Sequence, residues 1–296
     1  MITTNSLSAV QDQVSLTLVI GNFDGVHAGH SHLLKFAVNL GLMTGVFTFE
    51  PHPVSILFPH NKLEILTTRQ QKNRIFQKYG LEFTVYYPFI REFADSPPEE
   101  FAKLLAKKKN LKYVVVGEDF HFGRNRSGNP ELLQDLLHEY GIQLIVFPVH
   151  CCNSSKISSS AIRRLIKDGK IVQANKMLGR NYSIQGKVVS GQGIGKTLGF
   201  PTANIESIQL YPGSGVYSGE IKIEGDKPHQ AVISIGRKET FGCSNAEIME
   251  VHVLDFEKNL YNHEVEVCFV TRIRDQQKFS SPEELKAQIK RDLKSL

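Results

Sequence analysis

The order in which apolar runs and helix-like stretches follow one another constrains this chain most. In the first half, short apolar runs at 14–20, 44–49, 82–87, 112–116 and 142–146 alternate with helix-like stretches at 30–40, 68–78, 97–109 and 130–140. Pro97-Pro98-Glu99-Glu100 and Asn129-Pro130-Glu131 are helix starts, with proline in the first turn and acids at the positive end. Continuous apolar strands that alternate with helices predict a parallel, doubly wound sheet covered on both faces. Ligands of such a sheet bind beyond the carboxyl ends of its strands. Two more short helices are expected around 158–176, and then the texture changes. Strand-like runs at 182–189, 216–224, 229–235, 247–256 and 264–273 follow one another with only turns between them. This predicts a small antiparallel barrel or sandwich. A helix led by Ser281-Pro282-Glu283-Glu284 closes the chain. The boundary between the two regions is expected near residue 181, giving domains 1–180 and 181–296.

Two regions suit the length of 296 residues, since one core stops growing near ~250. Hydrophobic residues make up 41% and charged residues 22%, so a globular protein in water is expected. The net charge of +5 suits phosphate-bearing substrates and does not demand nucleic acid. Lys107-Lys108-Lys109 is expected to be a solvated helix end. The four cysteines, Cys151, Cys152, Cys243 and Cys268, contain no C-x-x-C pair and indicate neither a disulfide framework nor a zinc site. His150 beside Cys151 and Cys152 does not make a metal site, because three consecutive residues seldom converge on one ion. No leader and no membrane-length apolar run is seen, so a cytoplasmic protein without membrane or nucleic-acid partners is expected.

Two stretches carry chemistry. The first, Gly21-Asn22-Phe23-Asp24-Gly25-Val26-His27-Ala28-Gly29-His30, follows the first long apolar run directly. Amides and the dipole at the start of the next helix attract phosphate there. His27 and His30 can donate to oxygens that gain charge in phosphoryl or nucleotidyl transfer. Gly25 and Gly29 let backbone approach a ligand. The competing reading is a tight turn in which a histidine caps the helix and Asp24 merely shapes the turn.

The second, Ser190 to Asn204, contains Gly195-Lys196-Thr197 and invites comparison with a phosphate loop. Ser190 stands where that motif needs its first glycine, and Gly199 and Pro201 follow where a helix should begin. Neither common nucleotide loop is present.

The H-x-G-H stretch resembles the signature of nucleotidylyltransferases. In its longer form it resembles the adenylyltransferase half of bacterial bifunctional riboflavin kinase/FAD synthetases. Thr48-Phe49-Glu50-Pro51-His52-Pro53, Val116-Gly117-Glu118-Asp119-Phe120-His121-Phe122-Gly123 and Ile157-Ser158-Ser159-Ser160-Ala161-Ile162-Arg163 extend the likeness. Gly195-Lys196-Thr197-Leu198-Gly199-Phe200-Pro201-Thr202-Ala203-Asn204 resembles the riboflavin kinase signature. The likeness runs from about 15 to 293, with its motifs in family order.

The resemblance implies a Rossmann-like domain that joins FMN to AMP from ATP, giving FAD, and a barrel that phosphorylates riboflavin to FMN. It implies Gly21, Asn22, Phe23, Asp24, Gly25, Gly29 and Asp119 at the first nucleotide and flavin site, with His27 and His30 catalytic. Ser158, Ser159 and Arg163 are implied as ligands of ATP phosphates. Gly195, Lys196, Thr197, Gly199, Pro201 and Arg274 are implied at the second site, with Thr202 and Asn204 holding Mg²⁺ and Glu250 as base. In Glu-Ile-Met-Glu-Val-His-Val-Leu, alternation alone sends Met249, Val251 and Val253 to one face and Glu250 to the other.

The chain departs from the family at Ala161, where many members have Arg. Ser234 and Glu239 replace an Asn and a Pro, and Gln276 replaces a Glu. Alternatives are an adenylyltransferase whose barrel is inactive, another H-x-G-H enzyme with a different phosphate acceptor, or a flavin-binding protein without turnover.

Overall fold

The computed structural model describes the chain except residues 61–62, 149–150, 153–154, 192–194, 196–198, 238–246, 257 and 295–296. Residues 1–63 and 69–157 form one compact unit, and residues 64–68 and 158–296 form another.

In the first unit, strands β1 (Ile2–Thr4), β2 (Leu16–Ile20), β3 (Met43–Glu50), β4 (Phe83–Pro88), β5 (Leu111–Gly117) and β6 (Gln143–Phe147) build one sheet. Its order is β1-β4-β3-β2-β5-β6, and every pairing is parallel. The helices are α1 (Ala28–Val38), α2 (Pro53–Leu57), α3 (Arg69–Lys78), α4 (Arg91–Ala94), α5 (Pro98–Ala106) and α6 (Pro130–His138). Neighbouring strand residues enter different cores. Leu16, Leu18, Ile20, Phe47, Val114 and Val116 pack with Phe101, Leu105, Leu133 and Leu137 of α5 and α6. Val19, Val46 and Val115 pack with Leu33, Leu34, Ala37 and Phe76 of α1 and α3. The sheet is therefore doubly wound, as the continuous apolar strands require. The helix starts follow their residues: Pro98 opens α5 ahead of Glu99 and Glu100, and the Asn129 side chain accepts from Leu132 N at 2.9 Å. The end of α5 is not solvated throughout as expected, because Lys108 is buried and donates to Val10 O and Asp12 Oδ1. Strand β1 was not visible in the sequence, because three half-polar residues carry no periodicity.

The chain runs β2, β3, β4 to one side and then crosses back to place β5 on the other flank of β2. The strand order reverses between β2 and β5, and a crevice opens at their carboxyl ends. The Gly21–Gly29 turn leaves the end of β2, and Asp119 follows the end of β5. A short two-stranded ribbon, β7 (Cys151–Cys152) with β8 (Ser155–Lys156), ends the unit.

The second unit begins with α7 (Ser159–Lys167) and α8 (Ile171–Leu178). Strands β9 (Tyr182–Val189), β10 (Ala203–Glu206), β11 (Gly215–Ile223), β12 (His229–Arg237), β13 (Glu247–Val253) and β14 (Glu264–Arg274) follow, and α9 (Pro282–Leu293) closes it. The strands form a closed barrel, β10-β13-β12-β11-β14-β9, in which all pairings are antiparallel. Ile184, Ile205, Tyr217, Ile233, Met249, Val251, Val267 and Phe269 are buried. Five of the six strands coincide with the expected apolar runs. The sixth, β10, is four residues long, and it closes the barrel by pairing with β13 and β9.

The unit boundary lies ahead of the expected one near 181. Helices α7 and α8 go with the barrel because their apolar faces and polar ends are used there. Ile171, Ala174 and Leu178 of α8 are buried. Asn175 donates to Phe269 O at 2.9 Å and accepts from Tyr182 N at 2.7 Å. Gly213 N donates to Ile166 O of α7 at 3.0 Å. No helix among the described residues is long and apolar enough to cross a membrane.

Candidate functional site

The turn after β2 is wound tightly. Phe23, Gly25 and Val26 all have positive φ, at 49°, 84° and 38°. A bulky and a β-branched residue hold this conformation only where packing over-determines it. Both are buried, with Asp24 and His27 beside them, while Asn22 is exposed. The Phe23 ring meets Phe76 edge-on at 5.7 Å and His30 at 5.0 Å.

His27 is the N-cap of α1, and its Nδ1 accepts from His30 N at 3.3 Å. The capping role and the chemical role are compatible. With Nδ1 accepting, the neutral ring carries its proton on Nε2, which is then a donor. The His27 and His30 rings stack at 3.6 Å. Two imidazoles thus sit at the positive end of a helix in the crevice between β2 and β5, which suits a phosphate undergoing substitution. Asp119 is exposed, and its backbone oxygen contacts His121 Nδ1 at 2.9 Å.

Ser158, Ser159 and Arg163 lie in the second unit. Ser158 is the N-cap of α7, accepting from Ala161 N at 3.2 Å, and Ser159 is the first helical residue. Arg163 donates from Nε to Glu64 O at 3.0 Å.

On the barrel, Met249, Val251 and Val253 point inward and Glu250 is exposed, as alternation predicts. The register adds what alternation cannot. Glu250 stands directly opposite Asn204 of β10 on one side and Ser234 of β12 on the other. Cross-strand partners have Cβ atoms about 5 Å apart, so the Glu250 carboxylate and the Asn204 carboxamide share one small area of surface. His252 Nδ1 lies 2.8 Å from Pro201 O, and its ring meets Phe200 at 5.6 Å. These contacts hold the approach to β10.

Two glycines bring backbone against the oxygen-bearing side chains. A Cβ on Gly191 would fall 2.0 Å from Asn204 Nδ2. One on Gly195 would fall 2.4 Å from Phe200 O and 3.1 Å from Thr202 Oγ1. Gly199 has φ +84°, and Pro201 is exposed beside it. Lys196 and Thr197 lie outside the described residues, as do residues 238–241 of the altered loop. Among the described residues, no group of three or more His, Cys, Asp or Glu could hold a metal ion. The hydroxyl of Thr202 and the carboxamide oxygen of Asn204 nonetheless fit magnesium that keeps phosphate oxygens and waters as its other ligands.

Two departures from the family pattern touch each other. Gln276 Nε2 donates to Ser234 Oγ at 2.8 Å and to Ile235 O at 3.0 Å. A backbone carbonyl only accepts, so the amide nitrogen must face it, and Ser234 Oγ accepts as well. The serine proton is therefore directed away from Gln276, on the face that carries Glu250.

Arg274 is tied to the closing helix. Its guanidinium grips the Asp292 carboxylate of α9 at 2.7–3.0 Å, with side chains 15% and 4% exposed. It fastens the closing helix to the barrel. Sequence reading missed Lys72, whose Nζ reaches the turn after β2. No signal in the sequence marks it.

Comparison with known proteins covers almost the whole chain. Residues 9–161 match the family model described as FAD synthetase, and residues 178–296 match the one described as riboflavin kinase. A bifunctional riboflavin kinase/FMN adenylyltransferase of Escherichia coli strain K12 is 37% identical over 95% of this chain and 91% of its own length. One from Listeria monocytogenes is 33% identical over 94% and 90%. A crystal structure from Streptococcus pneumoniae, described as a macrolide-efflux protein, superposes with TM-score 0.90 at 30% identity, covering 99% of this chain and 98% of that one.

Proposed function

The chain belongs to the bifunctional riboflavin kinase/FMN adenylyltransferase family, and from that membership we propose a division of labour within it. Residues 181–296 phosphorylate riboflavin with ATP to give FMN and ADP. Residues 1–180 join FMN to AMP from a second ATP, giving FAD and pyrophosphate. The substrates are small molecules, and the protein works in the cytoplasm.

In the first reaction, Glu250 takes the proton from the riboflavin 5′-hydroxyl as its oxygen attacks the γ-phosphorus. Phosphoryl transfer depends mainly on positioning and charge neutralisation, so one base suffices. Thr202 and Asn204 would hold Mg²⁺, which would supply neutralisation of phosphate charge. Gly195, Lys196, Thr197, Gly199 and Pro201 form the loop around ATP. Arg274 acts at this site through the Asp292 pair, by holding the wall of the barrel.

In the second reaction, an FMN phosphate oxygen attacks the α-phosphorus of ATP and pyrophosphate leaves. No proton needs to move and no covalent intermediate is required. His27 and His30 donate to oxygens that gain charge. Gly21, Asn22, Phe23, Asp24, Gly25 and Gly29 shape the nucleotide side of the turn, with Asp119 across the switch point. Ser158, Ser159 and Arg163 are ligands of the triphosphate.

The pairing of Asn204 with Glu250 across β10 and β13 carries the kinase reading. It brings a metal-type oxygen and a base together, as an inactive barrel would not need. The test is a product assay with riboflavin, ATP and Mg²⁺, run beside one started from FMN. FAD from both starts is expected. FAD from FMN alone would leave an adenylyltransferase with a silent barrel, and no product from either would leave a flavin-binding protein.

A further inference from the structure

Lys72 sits where a lysine should not be without a reason. It lies on α3, a helix of mostly polar residues, yet it is only 9% exposed. A buried ammonium is costly unless its protons are used. Burial pushes its pKa down, and the nearby carboxylates of Asp24 and Glu50 oppose that shift.

Its ammonium donates to Asn22 O at 3.1 Å. The same carbonyl accepts from Thr48 Oγ1 of β3 at 3.2 Å. Asn22 is the last residue before the left-handed run at Phe23, Gly25 and Val26, and that run delivers His27 to the head of α1. One helical turn beyond Lys72, Phe76 packs edge-on against Phe23. Residues four apart lie on one helix face. A single face of α3 therefore grips two successive residues of the turn, one by its carbonyl and one by its ring.

We propose that Lys72 is a positioning residue for AMP transfer. By holding the Asn22 carbonyl, it fixes the backbone that aims His27 and His30. This rests on the reading of the turn as the adenylyl-transfer site.

The experiment uses the full chain, whose two activities provide an internal control. In Lys72→Met, kcat for FAD formation from FMN should fall about tenfold or more, because small misplacements of reacting groups cost that much. KM for ATP should change by less than about threefold, the pattern of an interaction realised in the transition state. Phosphorylation of riboflavin should stay within about twofold of the original. Lys72→Arg keeps the charge and a donor and should recover most of the lost rate. If Lys72→Met does not fold, Thr48→Val removes the other donor to the same carbonyl and should give a smaller loss of kcat with unchanged KM. Unchanged kcat for FAD formation in Lys72→Met, or in Thr48→Val where it is the variant used, overturns the proposal. So does an equal loss of both activities together with a lowered melting temperature, which marks a merely structural lysine. If the unsubstituted chain makes no FAD from FMN, the underlying reading falls first and takes this proposal with it.

Discussion

The turn after β2 and the outer face of the barrel, the two proposed sites, are built by opposite means. The first is contiguous. Ten residues, 21–30, carry the glycines, the strained backbone and both histidines, and buried packing keeps them in place. The second is assembled from strands distant in sequence. Asn204 and Glu250 are 46 positions apart and become neighbours only through the β10–β13 register. A local turn gains precision from the packing beneath it. A cross-strand site gains it from barrel closure, so its weak points are the contacts that keep strands and closing helix in place.

The contrast can be broken in four ways, taken from the largest expected effect. Glu250→Gln removes the proposed base and keeps the shape. FMN formation from riboflavin should fall by ~10²–10⁴, as for loss of a general base, with FAD formation from FMN unchanged. His27→Asn keeps a good N-cap and discards the ring Nε2 donor. FAD formation should fall ~10²–10³, as when one donor to a developing charge is lost, with riboflavin phosphorylation unchanged. If instead the helix-capping role were all that His27 supplies, this variant would be nearly silent.

Asp292→Ala leaves the Arg274 guanidinium largely buried without its carboxylate, keeping only its bond to Asp275 O, which costs about 3 kcal/mol. Thermal or urea unfolding of the barrel unit should shift accordingly, and phosphorylation should weaken through the loosened α9. An unshifted unfolding curve would mean that Arg274 finds water or another acceptor. Gly191→Ala places a methyl group on the Asn204 carboxamide, which must swing aside with little loss of stability. Expressed at the site, the effect should be a higher requirement for Mg²⁺ and ATP in the kinase assay. An unchanged requirement would separate Asn204 from the metal.

How far the chemistry could be read in advance follows from the same contrast. Both sets of helix starts, the doubly wound sheet and the inward face of β13 were legible, because periodicity and capping are local properties. The turn was legible for the same reason, down to the choice between a capping and a chemical histidine, which the structure shows to be compatible. Strand β10 was not, since four residues between a glycine-rich loop and a turn give no period to read. Nor was the docking of α7 and α8 on the barrel. Their amphipathic faces foretold helices, not which strands would cover them.

The sequence by itself determined the two architectures, their order along the chain, the H-x-G-H turn and the side of β13 that carries Glu250. Tertiary structure alone decided that Asn204 faces Glu250, that Gln276 holds Ser234, that Arg274 serves Asp292 and that a lysine on a polar helix reaches the Asn22 carbonyl. The physical reason is range. Patterns set by backbone geometry repeat within a few residues and are written in neighbouring letters. Burial of a charge or the meeting of two strands depends on chain closure over tens of residues, and no local pattern records which partner will arrive.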